Sequence, residues 1–158
     1  MRSKQAPVRE VTPDPVYNST KVTRLINRCM KAGKKDVARK QVYSALEILA
    51  NKTKRPALEV FEDAINNIQP KMEVRSRRVG GAAYQVPVAV KGNRGFALAV
   101  RWLILESNKR PNKEFRSFGE KLAAELFDAL NNEGGAVNKK MTSHKMADAN
   151  KAFAHFRW

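Results

Sequence analysis

Arg75, Arg77 and Arg78 stand just ahead of a Gly80-Gly81 dipeptide and Tyr84. A guanidinium presents a planar fork of donors that pairs bidentately with phosphate. A tyrosine ring can stack on an unpaired base, and glycine lets the backbone approach a ligand closely. These types at this spacing suit recognition of a nucleic acid rather than bond-making chemistry. A solvated surface hairpin is the plainer alternative for the same residues.

A second cationic group lies upstream. Lys21, Arg24, Arg28 and Lys31 recur three and four positions apart, which places them on one stripe of a helix, and Lys34-Lys35 follows. A basic helix face is often merely solvated. Here 14 basic residues in positions 1–56 meet only Glu10, Asp14, Asp36 and Glu47, which favours a surface that tracks phosphates.

Other chemistries find little support. His144, His155 and Cys29 do not form a metal-ligand pattern, and the two histidines read as lone surface or packing residues. Gly33-Lys34-Lys35 lacks the first glycine and the hydroxyl of a phosphate-binding P-loop. Glu62-Asp63 is an adjacent acid pair whose members point in different directions on a helix. No catalytic residue, metal, cofactor or small-molecule substrate is therefore expected.

The chain has 158 residues, which suits one domain, 1–158. Lys and Arg total 31 against 15 Asp and Glu, a formal net charge of +16. That excess is self-repelling unless a polyanion meets it. The basic surface comes from positions 1–56 and from 71–116, where 11 basic residues face 3 acidic ones; positions 117–158 hold 6 and 5. An anionic membrane surface is a weaker partner, because no lipidation signal stands at either end and no apolar stretch is long enough to span a bilayer. The opening Met1-Arg-Ser-Lys-Gln-Ala-Pro7 lacks the apolar core of a signal peptide, and the single cysteine fits a reducing compartment.

The elements that must position these residues are mostly helical. Residues 1–19 carry Pro7, Pro13 and Pro15 without periodicity and predict an extended arm that orders on a partner. Ser19 or Thr20 suits the cap of a first helix with Val22, Leu25, Ile26, Cys29 and Met30 inward, closed by Gly33. Asp36 suits the cap of a second, with Val42, Ala45, Leu46 and Leu49 inward. Pro56 suits the first position of a third, with Phe61, Ala64, Ile65 and Ile68 inward and Pro70 closing it. Residues 71–91 read as a hairpin arm turning at Gly80-Gly81, with Pro87 at an edge or bulge and little for the strands to pack on. A fourth helix over 94–108 is apolar almost all round and predicted central. Ser117 to Asn132 reads as a fifth, ended by Gly134-Gly135, and 142–156 as a sixth with Met146, Ala149, Phe153 and Phe156 in register. The aromatic tail Phe153 to Trp158 suits helix docking or base stacking, with Trp158 its most functional candidate. The predicted fold is mainly α: a six-helix, bundle-like body with a protruding two-stranded β-hairpin arm and an extended N-terminal arm.

Val74-Arg-Ser-Arg-Arg-Val-Gly-Gly-Ala-Ala-Tyr-Gln-Val-Pro-Val-Ala-Val90 closely resembles the β-arm of the ribosomal protein S-seven family of the small subunit. Gly33-Lys-Lys35 with Val42-Tyr-Ser-Ala-Leu46 is similar to that family's signature, and Ala97-Leu-Ala-Val-Arg-Trp102 and Met146 to Trp158 are similar to its later helices and C-terminus. The resemblance covers nearly the whole chain. It implies a structural protein that binds the 3′ major domain of small-subunit ribosomal RNA, helps nucleate assembly of the subunit head, and sits at the subunit interface near exit-site tRNA and the mRNA path, with the S-eleven protein as a neighbour. Some bacterial relatives also repress their own messenger.

By that resemblance Lys4, Arg9, Lys21, Arg24, Arg28, Lys31, Lys34, Lys35, Arg75, Arg77, Arg94, Arg101, Lys109, Arg110 and Lys113 map to the ribosomal RNA surface. Arg78, Gly80, Gly81, Tyr84, Lys145, Lys151, Arg157 and Trp158 map beside tRNA and mRNA. Lys91-Gly-Asn-Arg-Gly95 is less basic than the family's Arg-rich segment after the arm. The implied location is the ribosome, in the cytoplasm or, for an organelle-encoded copy, in a stroma or matrix. The alternative from another class is an architectural DNA-binding protein with a basic β-arm. Such arms carry an apolar wedge at the tip, and the tip Gly80-Gly-Ala-Ala83 has none.

Overall fold

The computed structural model describes residues 9–156. Six α-helices, one hairpin and a terminal 3-10 helix follow in order: α1 Thr20–Cys29, α2 Lys35–Thr53, α3 Ala57–Ile68, β1 Met72–Val79, β2 Ala82–Ala89, α4 Asn93–Lys109, α5 Phe118–Leu130, α6 Gly134–Ala149, and the 3-10 helix Lys151–Phe156. The inward residues expected of α1 to α3 form the core: Leu25, Leu46, Leu49, Phe61 and Ile68 are fully buried, joined by Leu103 of α4 and Leu122 and Leu126 of α5. Burying each such side chain stabilises the fold by about 1.5–3 kcal/mol. Cys29 and Met30 only border this core.

Several boundaries differ from the sequence reading. α1 ends at Cys29, where the Met30 N–H still reaches the Ile26 carbonyl; Ala32 and Gly33, at φ 50° and 73°, then turn the chain. Gly33 therefore belongs to the connecting turn. Lys34 occupies the N-cap of α2, so Asp36 lies inside the first turn, where it complements the helix dipole and pairs with Arg39 at 3.2 Å. Pro56 precedes α3 as its N-cap, and that helix already ends at Ile68. In α5 the Ser117 hydroxyl accepts the Glu120 N–H, as a capping serine should.

α4 is one-sided rather than buried all round. Gly95, Ala99, Val100, Leu103 and Ser107 face inward, while Leu105 is 42% exposed. Gly134-Gly135 opens α6 instead of closing α5. Gly135 is tightly packed there: a Cβ on it would meet the Glu106 carboxylate at 2.8 Å and its Cγ at 2.9 Å. α6 thus begins eight residues earlier than predicted and buries Ala136, Val137 and Ala147, leaving Met146 exposed. It stops at Asn150, whose side chain donates back to the Met146 carbonyl at 2.8 Å, and Phe153 and Phe156 fall in a separate 3-10 turn.

The described part of the N-terminal arm is folded onto the body. Asp14, 4% exposed, accepts the backbone N–H groups of Val16 and Tyr17 at 3.2 Å and the Tyr43 hydroxyl at 2.8 Å. Thr23 Oγ1 donates to the Thr12 carbonyl at 2.9 Å. This stretch packs on α1 and α2 rather than extending away from them; Lys4 lies outside the described residues.

Candidate nucleic-acid interface

The hairpin pairs antiparallel from Met72↔Ala89 to Val79↔Ala82 without a bulge, and Pro87 stands opposite Val74. Gly80 and Gly81, at φ 59° and 90°, form the two-residue turn that positive φ permits. The base of the arm is docked, which corrects the expectation of strands with little to pack on. Ser143 of α6 donates to the Met72 carbonyl at 3.2 Å, and His144 Nε2 accepts the Lys71 N–H at 3.0 Å. Val86 is fully buried.

At that base the guanidiniums of Arg75 and Arg94 converge on Glu73. Their Nε groups donate to Glu73 Oε1 at 2.6 and 2.7 Å. Burial disfavours the Glu73 charge, but the hydrogen bonds from Arg94 and Arg75 outweigh it and hold the carboxyl below the usual glutamate value. Arg75 and Arg94 therefore tie β1 to the start of α4. Their side chains stay about half exposed, at 48% and 50%, and the trio keeps one net positive charge.

Further out, Arg77 stands opposite Tyr84 and Arg78 opposite Ala83, so the two arginines project from opposite faces. Arg77, Arg78, Gly80 and Gly81 are exposed. Tyr84 is half-buried, its ring 5.3 Å from Phe153 and 5.1 Å from Phe156. The described part of the aromatic tail thus packs on the arm, and the Tyr84 ring is engaged there. Lys145 on α6 and Lys151 are exposed on the adjoining surface, while Arg157 and Trp158 lie outside the described residues.

The second surface runs over α1, the α1–α2 turn and α4. Arg24, Arg28 and Arg101 line one groove over Phe96 and Val100. Arg24 donates to Asn93 Oδ1 at 2.9 Å, and Lys21 pairs with Glu62 at 3.0 Å. Among the described residues, Arg28, Lys31, Lys34, Lys35 and Arg101 are exposed and stand in no ion pair. Arg9 and Lys113 are exposed on flanking loops.

Arg110 does not belong with them. Its side chain is only 19% exposed and is held by Glu125, at 2.6 Å, and by Asp128. Burial opposes its charge, yet the two carboxylates raise its pKa further. Glu125 Oε1 also accepts the Ala136 N–H at 2.8 Å, so one buried carboxylate joins the end of α4 to the start of α6. Sequence reading missed Glu125; an acid within the apolar run of α5 was the available signal, since buried charges are paired. Lys109 pairs with Glu106 at 2.8 Å. Among the described residues no three His, Cys, Asp or Glu side chains lie together to hold a metal ion, and burial pushes the Cys29 thiol up to about 12.

A helical body with a cationic face, five of whose members stand in no ion pair among the described residues, and a basic hairpin has the character of a polyanion-binding protein. The chain belongs to the family described as ribosomal protein S7p/S5e, whose model matches residues 1–151. It is 58% identical over 150 residues to the small ribosomal subunit protein uS7 of Thermoanaerobacter pseudethanolicus, covering 95% of this chain and 94% of that one. The uS7 proteins of Caldanaerobacter subterraneus subsp. tengcongensis and Kosmotoga olearia are 55% and 53% identical over 157 and 158 residues, covering 99% and 100% of both chains. The family resemblance read from the arm and the later helices is thereby established. It is a family of ribosomal proteins, not of enzymes.

Proposed function

We propose that the protein is a structural constituent of the small ribosomal subunit. It binds the 3′ major domain of ribosomal RNA directly, helps nucleate the head, and lies at the subunit interface beside exit-site tRNA and the mRNA path. The observation that carries the reading is the set Arg28, Lys31, Lys34, Lys35 and Arg101, exposed on one side of the body and unmatched by ion pairs among the described residues. Cations left unmatched within a fold are available to displace counterions from phosphate. Arg75 and Arg94 add a half-exposed contact at the foot of the arm.

The arm's tip of small residues, Gly80 to Ala83, suits a close steric fit beside tRNA better than base reading. The S-eleven protein is the expected neighbour of the C-terminal segment, and binding of a leader transcript would use the same cationic face. No helix among the described residues is long and apolar enough to cross a membrane. The test is crosslinking within assembled subunits, with mapping of the joined nucleotides. Crosslinks from Lys31 or Lys34 into the 3′ major domain are expected; crosslinks confined to other domains would overturn the reading.

A further inference from the structure

Where α1, α2, α4 and α5 meet, a cavity of about 260 Å³ opens to solvent. This lies just under the roughly 300 Å³ at which pockets for drug-sized ligands begin, and suits a single ring system. Its apolar wall is made by Ala38, Ile104 and Phe118, and its mouth by Arg28, Lys31 and Lys34. Among the described residues, no carboxylate lines it.

Two carboxamides give the cavity a hydrogen-bonding sense. Gln41 Oε1 is occupied by the Gly119 N–H at 2.8 Å, which leaves its amide nitrogen to donate. Asn108 Nδ2 is occupied by the Ile104 carbonyl at 2.9 Å, which leaves its oxygen to accept. A donor and an acceptor beside an aromatic ring, under a cationic mouth, match an unstacked nucleotide. Its base offers a flat apolar face and a mixed polar edge, and its phosphate remains outside. Val37, 57% exposed at the rim, supplies apolar surface that the core does not use.

We infer that this cavity receives one unpaired nucleotide of the bound RNA, base inward and phosphate against Arg28, Lys31 and Lys34. The inference rests on the RNA-binding reading above and adds a base-specific anchor to a surface otherwise blind to sequence.

The test uses the full chain and a 3′ major domain RNA in which each unpaired nucleotide is replaced in turn by an abasic one. One abasic position is expected to weaken binding about fivefold to tenfold, in keeping with the loss of one stacked base. Val37→Trp, at an exposed rim position, should fill the cavity and weaken binding to intact RNA by a similar factor with the salt dependence unchanged. The two losses should not add, because both remove the same stacked base from the cavity. Asn108→Ala, which adds no bulk, should give a smaller loss that is likewise absent on the same abasic RNA. Full additivity at every position, or unaltered binding by Val37→Trp, would overturn the inference while leaving the ribosomal reading intact. Failure of the unaltered protein to prefer this RNA over an unrelated one of equal length would overturn both.

Discussion

The ring of Tyr84 on the hairpin lies 5.3 Å from the ring of Phe153 on the C-terminal 3-10 helix, tilted by 51°. The 3-10 turn thereby clasps the arm, with Phe156 completing the contact at 5.1 Å. Such aromatic pairs contribute about 0.5–1.5 kcal/mol beyond the area they bury. Replacing Phe153 and Phe156 by Ala should speed amide hydrogen exchange along β2 about tenfold while amides of α2 and α5 keep their protection. Equal acceleration everywhere would show that the clasp supports the whole fold rather than the arm.

Glu73 carries a pH dependence whose sign is fixed by its depressed pKa. Its stabilisation is present above the unfolded glutamate value of about 4.3 and is lost as pH falls through the lower folded value. Solvent reaching the half-exposed Arg75 and Arg94 screens the pair and limits that contribution. Glu73→Gln should remove that acid-side slope from urea denaturation measured between about pH 5 and 3, and an unchanged slope would contradict the clamp.

Glu125→Ala strands Arg110 beside Asp128 alone and removes the acceptor for the Ala136 N–H. Breaking a buried ion pair from one side costs about 3–5 kcal/mol. Partial exposure of Arg110 places the expected loss near the lower end, read as a shift in the urea midpoint. The double variant Glu125→Leu with Arg110→Met should recover part of it.

Tyr43→Phe removes the hydroxyl that donates to buried Asp14 at 2.8 Å. A hydrogen bond to a charged group contributes about 1.5–3 kcal/mol. Loss of the bond should expose the chain around Pro13 to limited proteolysis before the helical core is cut. Burial and the Asp14 hydrogen bond push the Tyr43 phenol up to about 12, so its ultraviolet titration should lie above that of free tyrosine, and move down in Asp14→Asn.

Removing Lys31, Lys34 and Lys35 together should weaken ribosomal RNA binding and flatten the log–log salt dependence by about 0.7 to 0.9 for each phosphate no longer neutralised. Lys109 and Arg110, held by carboxylates within the fold, should change that slope little when replaced by Met. If the two sets behaved alike, ion pairing within the fold would be a poor guide to which cations meet RNA.

The core of α1 to α3 was legible because large aliphatic side chains recur at helical spacing and sit on one face. The hairpin was legible because Gly80-Gly81 admits the turn and little else. α6 was not, because it buries Ala136, Val137 and Ala147 rather than large residues, and its opening glycines mimic a stop. Asp14 was opaque for another reason: its partner Tyr43 lies 29 positions later. The cationic face was readable as a charge pattern. Sorting its members into unpaired cations and internal braces such as Arg110 required the ion pairs made by Glu125 and Asp128.

The docked foot of the hairpin acts as a pivot. Each strand has 8 residues, and at a rise of about 3.4 Å per residue the arm reaches roughly 27 Å from Met72 to its turn. Over that reach a tilt of about 5° at the foot displaces Gly80 by roughly 2 Å, enough to lose a hydrogen bond at the far end. The aim of the tip is therefore set by Ser143, His144 and Glu73 at the foot together with Phe153 and Phe156 against Tyr84, residues that need never touch what the tip meets.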